Sequence, residues 1–133
     1  MSEDHPARAL WDPLPVVFTA HSVRSAFMKQ HICKFVFDSG RVPLNPFMNA
    51  EYFLLDTVPR DAVRRANNTY LRLSHEVWTF GAISDGVFEE LRLAKALARP
   101  VRHFSLAKTL DSIHEIHPSE LEYEPDVPPI ETL

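Results

Sequence analysis

The chain has 133 residues, 45% of them apolar and 24% charged, with a formal net charge of −4; that is the length of one domain with a real core. No block of lysine or arginine stands out, which argues against a duplex-binding surface built on clustered cations, although a small nucleotide needs only one or two. One cysteine, Cys33, excludes an internal disulfide; no Cys/His group has zinc spacing, no apolar run approaches the ~20 residues that span a bilayer, and the start lacks a basic-then-apolar leader, so the expectation is a cytoplasmic protein with no metal, no cofactor and no membrane.

Residues 1–15 hold three prolines and no hydrophobic period. They read as an arm that Trp11 could dock. Val16-Val17-Phe18-Thr19-Ala20 is a short apolar strand without alternation, as in a parallel sheet covered on both faces. His21-Ser22-Val23-Arg24-Ser25 leads into a helix ending at Ser39, with Gly40 as its stop. Val23, Ala26, Phe27, Cys33 and Phe37 form one apolar stripe, and Met28, Ile32 and Phe35 a second. One stripe should meet the sheet and the other a neighbouring helix or subunit. Residues 42–44 form an edge strand marked by Pro43. Residues 45–53 are a loop or broken helix with three aromatics, either a lid for a flat base or a loop anchored by its own rings.

Residues 56–73 read as a helix capped by Asp56 or Thr57, with Pro59 in its first turn. Val63, Ala66, Tyr70 and Leu73 are its inward candidates. Residues 77–80 form a strand ended by Gly81. Ser84-Asp85-Gly86 then opens a helix running to Arg99, which Pro100 stops, and residues 101–104 form the next strand. Residues 113–116 allow a fifth strand, and the acidic, proline-rich end beyond Glu124 reads as disordered.

The order is β-α-β-α-β-α-β. It predicts an α/β three-layer sandwich with a small parallel sheet in the flavodoxin-like or Rossmann-like order 2-1-3-4, with a possible fifth strand. A single domain over residues 16–117 would lie between the arm and an acidic tail at 118–133. The turns at 21–25 and 81–86 would then face each other across one crevice at the carboxyl ends of the strands. Ser22, Arg24, Ser84, Asp85 and Gly86 could hold a phosphate there. The plainer reading is that Ser84 or Asp85 is only a helix cap and Arg24 a solvated cation. Glu90 borders the inward stripe Val87, Leu91, Ala94 and Ala98, and Glu89 lies about 100° further round. The helix dipole would favour an ionised Glu90 suited to nucleophilic attack. A solvated glutamate pairing with Lys95 or Arg92 fits the same spacing.

Residues 18–24, with Ser22-Val23-Arg24, and the run Ser84-Asp85-Gly86-Val87-Phe88-Glu89-Glu90 resemble the two signature turns of the nucleoside 2-deoxyribosyltransferase superfamily, which includes the 2′-deoxynucleoside 5′-phosphate N-hydrolases. The run from Glu76 to Phe104 is similar to an uncharacterised bacterial and phage branch of it. The resemblance spans residues 16–106. It implies that Glu90 attacks the anomeric carbon and forms a glycosyl-enzyme, that Ser84 holds a 5′-phosphate, and that Ser22 and Arg24 match the first turn. Two positions depart from the family pattern. A family tyrosine falls on Phe18, with His21 nearby as a substitute for proton transfer. A family aspartate falls on Asn67 or Asn68, whose amides can hydrogen-bond but cannot act as acids. The resemblance implies a small-molecule nucleoside or nucleotide as ligand and a homo-oligomer, because family members complete the pocket from a neighbouring subunit. Two functions remain open: an N-glycosidase or deoxyribosyltransferase, and a non-catalytic nucleotide-sensing module of the same fold.

Overall fold

The structure is a computed structural model that describes residues 5–106 and 113–133. Five strands form one sheet: β1 (Val16–His21), β2 (Val42–Leu44), β3 (Glu76–Phe80), β4 (Val101–Ser105) and β5 (His114–Ile116). Their order is β2-β1-β3-β4-β5. The first four are parallel, and β5 runs antiparallel to β4. The expected order and the edge position of β2 are therefore observed, and the possible fifth strand exists.

Alternation along the strands builds two cores. Phe18, Ala20 and Val77 face one way, against Leu71, Val87, Leu91 and Ala94 of the helices on that side. Val17, Trp78, Phe80 and Phe104 face the other way, against Met28, Ile32 and Val36. Those three belong to a 3-10 segment (Val23–Met28) and to helix α1 (Lys29–Asp38) that continues it. A 3-10 segment turns every three residues, so it resets the phase of the helix. That is why the stripe drawn through Val23, Phe27 and Phe37 fails to bury: these side chains are 72%, 81% and 62% exposed. The Met28–Ile32 stripe meets the sheet instead, joined by Val36 and Phe35.

The segment after β2 is a broken helix: α2 (Pro46–Asn49) and α3 (Tyr52–Thr57), followed by α4 (Arg60–Leu73). The helix expected from residue 56 begins only at Arg60. Val58 precedes Pro59 and is extended at ψ 139, and Pro59 is the cap residue at ψ 140. The proline ring disfavours helical backbone in the residue before it, so the two segments cannot fuse. Leu71, not Leu73, is the buried leucine of α4, and Leu73 is 67% exposed. The inward face therefore includes Asn67, four residues before Leu71.

Helix α5 (Asp85–Ala96) ends three residues short of Arg99. Ala98 adopts φ 55, and the Arg99 amide donates to the Ala94 carbonyl at 2.9 Å. This left-handed turn closes the last carbonyls before Pro100.

The two ends of the chain depart from expectation in opposite directions. Trp11 is 76% exposed, so it does not bury itself against the body among the described residues. The tail, expected to be disordered, packs on the α4/α5 core through Leu121, Tyr123, Val127, Ile130 and Leu133. Those five apolar anchors are interleaved with the acids and prolines that dominated its composition. No helix is long and apolar enough to cross a membrane among the described residues.

Candidate functional site

Two adjoining cavities, of about 540 and 640 Å³, lie where the carboxyl ends of β1 and β3 meet α4, α5 and the tail. Both are walled by Arg60, Arg64, Asn67, Asp85, Gly86 and Glu90. The crevice expected between the first and third βα turns therefore exists, since Ser22 and Ser84 both line the smaller cavity.

At the end of β1, His21 is 4% exposed and stacks on Phe47 at 4.7 Å between ring centroids. Its Nδ1 lies 3.0 Å from the Ser22 carbonyl oxygen, which can only accept, so Nδ1 carries the proton. Nε2 is then an acceptor, and the Asn45 amide donates to it at 2.9 Å. The orientation of that amide is fixed by its other contacts. Asn45 Oδ1 accepts from the Phe47 and Met48 amides at 2.9 and 3.1 Å, and Nδ2 also donates to Thr19 Oγ1 at 2.8 Å. Burial holds the imidazole below the ordinary histidine value. His21 is thus a neutral ring with both nitrogens engaged. The general-acid role suggested for it does not fit this arrangement; it shapes the wall.

Asn45 was not singled out in the sequence, although Asn-Pro before a short helix is a strong cap signal. Asn45→Ala removes four hydrogen bonds and leaves buried partners unsatisfied. It should cost roughly 2–4 kcal/mol of stability, read as a lower urea midpoint. An unchanged midpoint would show that the network carries no stability.

The two turns are satisfied largely from within. Ser22 Oγ accepts from the Arg24 amide at 3.2 Å, and Ser84 Oγ accepts from the Val87 amide at 3.2 Å. Asp85 Oδ1 accepts from the Gly86 amide at 2.8 Å. The helix-start amides expected to meet a phosphate are therefore already engaged at residues 86 and 87. The Arg24 side chain is exposed and lines neither cavity. Phe18 is fully buried in the core and also lines neither. Arg60 and Arg64 on α4 are the cations that line both cavities, and Arg92 on α5 lines the larger one. With Asn67, Arg60 and Arg64 form a 60/64/67 row on one helix face.

Glu90 sits on the wall common to both cavities. Burial pushes its carboxyl up to about 8 from an ordinary 4.5. That rise corresponds to about 5 kcal/mol against the charged form. A helix dipole supplies at most about 2 kcal/mol in its favour. Burial therefore outweighs the dipole, and the expectation of an ionised Glu90 at neutral pH is reversed. Asn67 lines the same two cavities, and its Oδ1 is buried with no hydrogen-bond partner among the described residues. It is an acceptor that a ligand N–H or O–H would satisfy. Asn68 is exposed and lines only the larger cavity. The tail contributes Glu124 to the smaller cavity and Asp126, Val127 and Pro128 to the larger, which no reading of a disordered tail could supply. Among the described residues, no three His, Cys, Asp or Glu side chains come together as a metal site.

The fold has a solved counterpart. A 2-desoxiribosyltransferase from Leishmania mexicana superposes with a TM-score of 0.54 over 83% of each chain, at 16% identity. At that identity the likeness establishes the fold alone. No curated protein matches the chain. The sequence match covers residues 18–104, from β1 through β4 and so most of the crevice, and on that match the chain belongs to the family described as Domain of unknown function (DUF7768).

Proposed function

We propose that this chain acts on the base–sugar bond of a nucleoside or nucleotide, as an N-glycosidase or deoxyribosyltransferase, with Glu90 as nucleophile. The observation that carries the reading is Glu90 itself: a carboxyl strongly perturbed by burial, set at the junction of two cavities behind Ser84-Asp85-Gly86. Perturbed carboxyls in clefts are a mark of catalytic sites. In the proposed step, ionised Glu90 forms a bond to the anomeric carbon as the carbon–nitrogen bond breaks. The electron pair leaves with the base, which takes up a proton, and water or a second base then resolves the glycosyl-enzyme. Asn67 would hold a donor of the sugar or base through its unpartnered Oδ1. Release of free base from a panel of 2′-deoxynucleosides and their 5′-monophosphates, followed by chromatography, tests this directly.

A 5′-phosphate would be recognised by Arg60 and Arg64 rather than by Arg24. A monophosphate should therefore bind more tightly than its nucleoside. Arg60→Ala with Arg64→Ala should remove about 1.5–3 kcal/mol of that preference, the scale of hydrogen bonds to charged groups. Arg24→Ala should leave it intact. Equal affinities of the parent protein for both ligands would reject the phosphate assignment.

A second reading, a sensing module without turnover, is favoured by one set of observations. His21 has no free nitrogen, and asparagines stand where the resembling family has an aspartate. In either reading the remaining partner is a second copy of the chain, through exposed Val23, Phe27 and Phe37. Light scattering that gave a monomer at micromolar concentration would remove that partner.

A further inference from the structure

The tail after β5 is held to the crevice by its backbone. The Ile83 amide donates to the Glu122 carbonyl, and the Glu124 amide donates to the Ile83 carbonyl, each at 2.9 Å. Ile83 thereby pairs in parallel with Tyr123 immediately before the Ser84 turn. Tyr123 Oη accepts from the Ile130 amide at 3.1 Å, and Lys95 Nζ donates to the carbonyl of Leu133. Leu121, Tyr123, Val127, Ile130 and Leu133 seal the segment onto the core. Side chains alternate along an extended segment, so Tyr123 turned to the core leaves Glu124 to the other side. Glu124 lines the smaller cavity together with Glu90, Ser84 and Asn67. Among the described residues its carboxylate has no hydrogen-bond or ion-pair partner.

We infer that the C-terminal segment completes the ligand site within the same chain, and that Glu124 is a specificity residue accepting hydrogen bonds from neutral donors of the ligand. This rests on the nucleoside reading above. An ionised carboxylate only accepts hydrogen bonds. It would repel a phosphate, which belongs on the α4 side with Arg60 and Arg64. What remains of a nucleoside is its donor edge away from the 5′ end: the 3′-hydroxyl of the sugar or the exocyclic amine of the base. Both offer the same chemistry to Glu124. A donor aimed at a charged acceptor in a partly dry site discriminates strongly, because the analogue without it leaves the acceptor unpaired.

The test uses the full chain and titration calorimetry. The probes are 2′-deoxyadenosine, its 3′-deoxy analogue and its deaminated analogue 2′-deoxyinosine. Glu124→Ala should weaken 2′-deoxyadenosine roughly 10- to 100-fold. It should leave unchanged the one analogue that lacks the donor Glu124 holds, and this identifies that donor as hydroxyl or amine. Glu122→Ala, exposed on the same segment and outside both cavities, should bind as the parent does. The melting temperature of Glu124→Ala should match the parent, since the tail is held by backbone and apolar contacts. An unweakened Glu124→Ala, or an equal loss for all three probes, would overturn the inference while leaving the nucleoside reading standing. A parent protein that binds none of the three would overturn both.

Discussion

Glu90→Gln should abolish base release, by on the order of a thousandfold or more, while ligand binding survives. The amide nearly keeps the shape of the side chain but cannot form the ester to the anomeric carbon. If Glu90 only hydrogen-bonded the sugar, the amide would retain much of that contact and turnover would fall modestly. Glu89 provides the comparison one residue away. It is exposed, paired with Arg92 at 3.1 Å, and reaches only the larger cavity. Glu89→Gln should therefore change turnover little. Similar losses in both variants would mean that the helix face, not the nucleophile, had been disturbed.

The same substitution should stabilise the protein at neutral and alkaline pH. In the folded chain the Glu90 carboxyl is raised to about 8 by burial, above its ordinary 4.5. The unfolded chain therefore loses this proton first. Whatever stability the protonated group contributes is complete below about pH 4.5 and is lost progressively as pH rises towards 8. The glutamine variant has no proton to lose. Its advantage should be absent near pH 4 and reach roughly 2–3 kcal/mol at pH 8, allowing for the part of Glu90 that opens onto the cavities. Urea unfolding of both proteins at pH 4, 6 and 8 measures it. A difference independent of pH would show that Glu90 does not titrate in this window.

The sheet was legible because its strands are short, apolar and bounded by prolines and glycines, and because alternating helices force a parallel order. Glu90 was legible as a position, from its place behind Ser84-Asp85-Gly86. Its charge state was not, since desolvation depends on what α4 and the tail bring against it. Arg24 and Phe18 were misplaced for different reasons. Arg24 lies on the outer side of a 3-10 turn whose phase differs from a helix. Phe18 follows the strand alternation into the core. Asn67 was legible through the resemblance, but Arg60 and Arg64, two turns and one turn before it on the same helix face, carry no motif of their own and are marked only by the cavities the fold sets against α4. The tail was missed because composition outweighs a few spaced apolar anchors in any reading of a short acidic segment.

The most direct measurement is the pH dependence of kcat/KM for base release between pH 5 and 9, on whichever deoxynucleotide is cleaved. With Glu90 as nucleophile, only the ionised form reacts. The rate constant should climb about tenfold per pH unit and level off near 8, the value burial sets for Glu90 in the free protein, and the climb should vanish with Glu90→Gln. A profile that is flat up to pH 8 and falls beyond it would mean that Glu90 works as a proton donor, and the nucleophile assignment would be wrong.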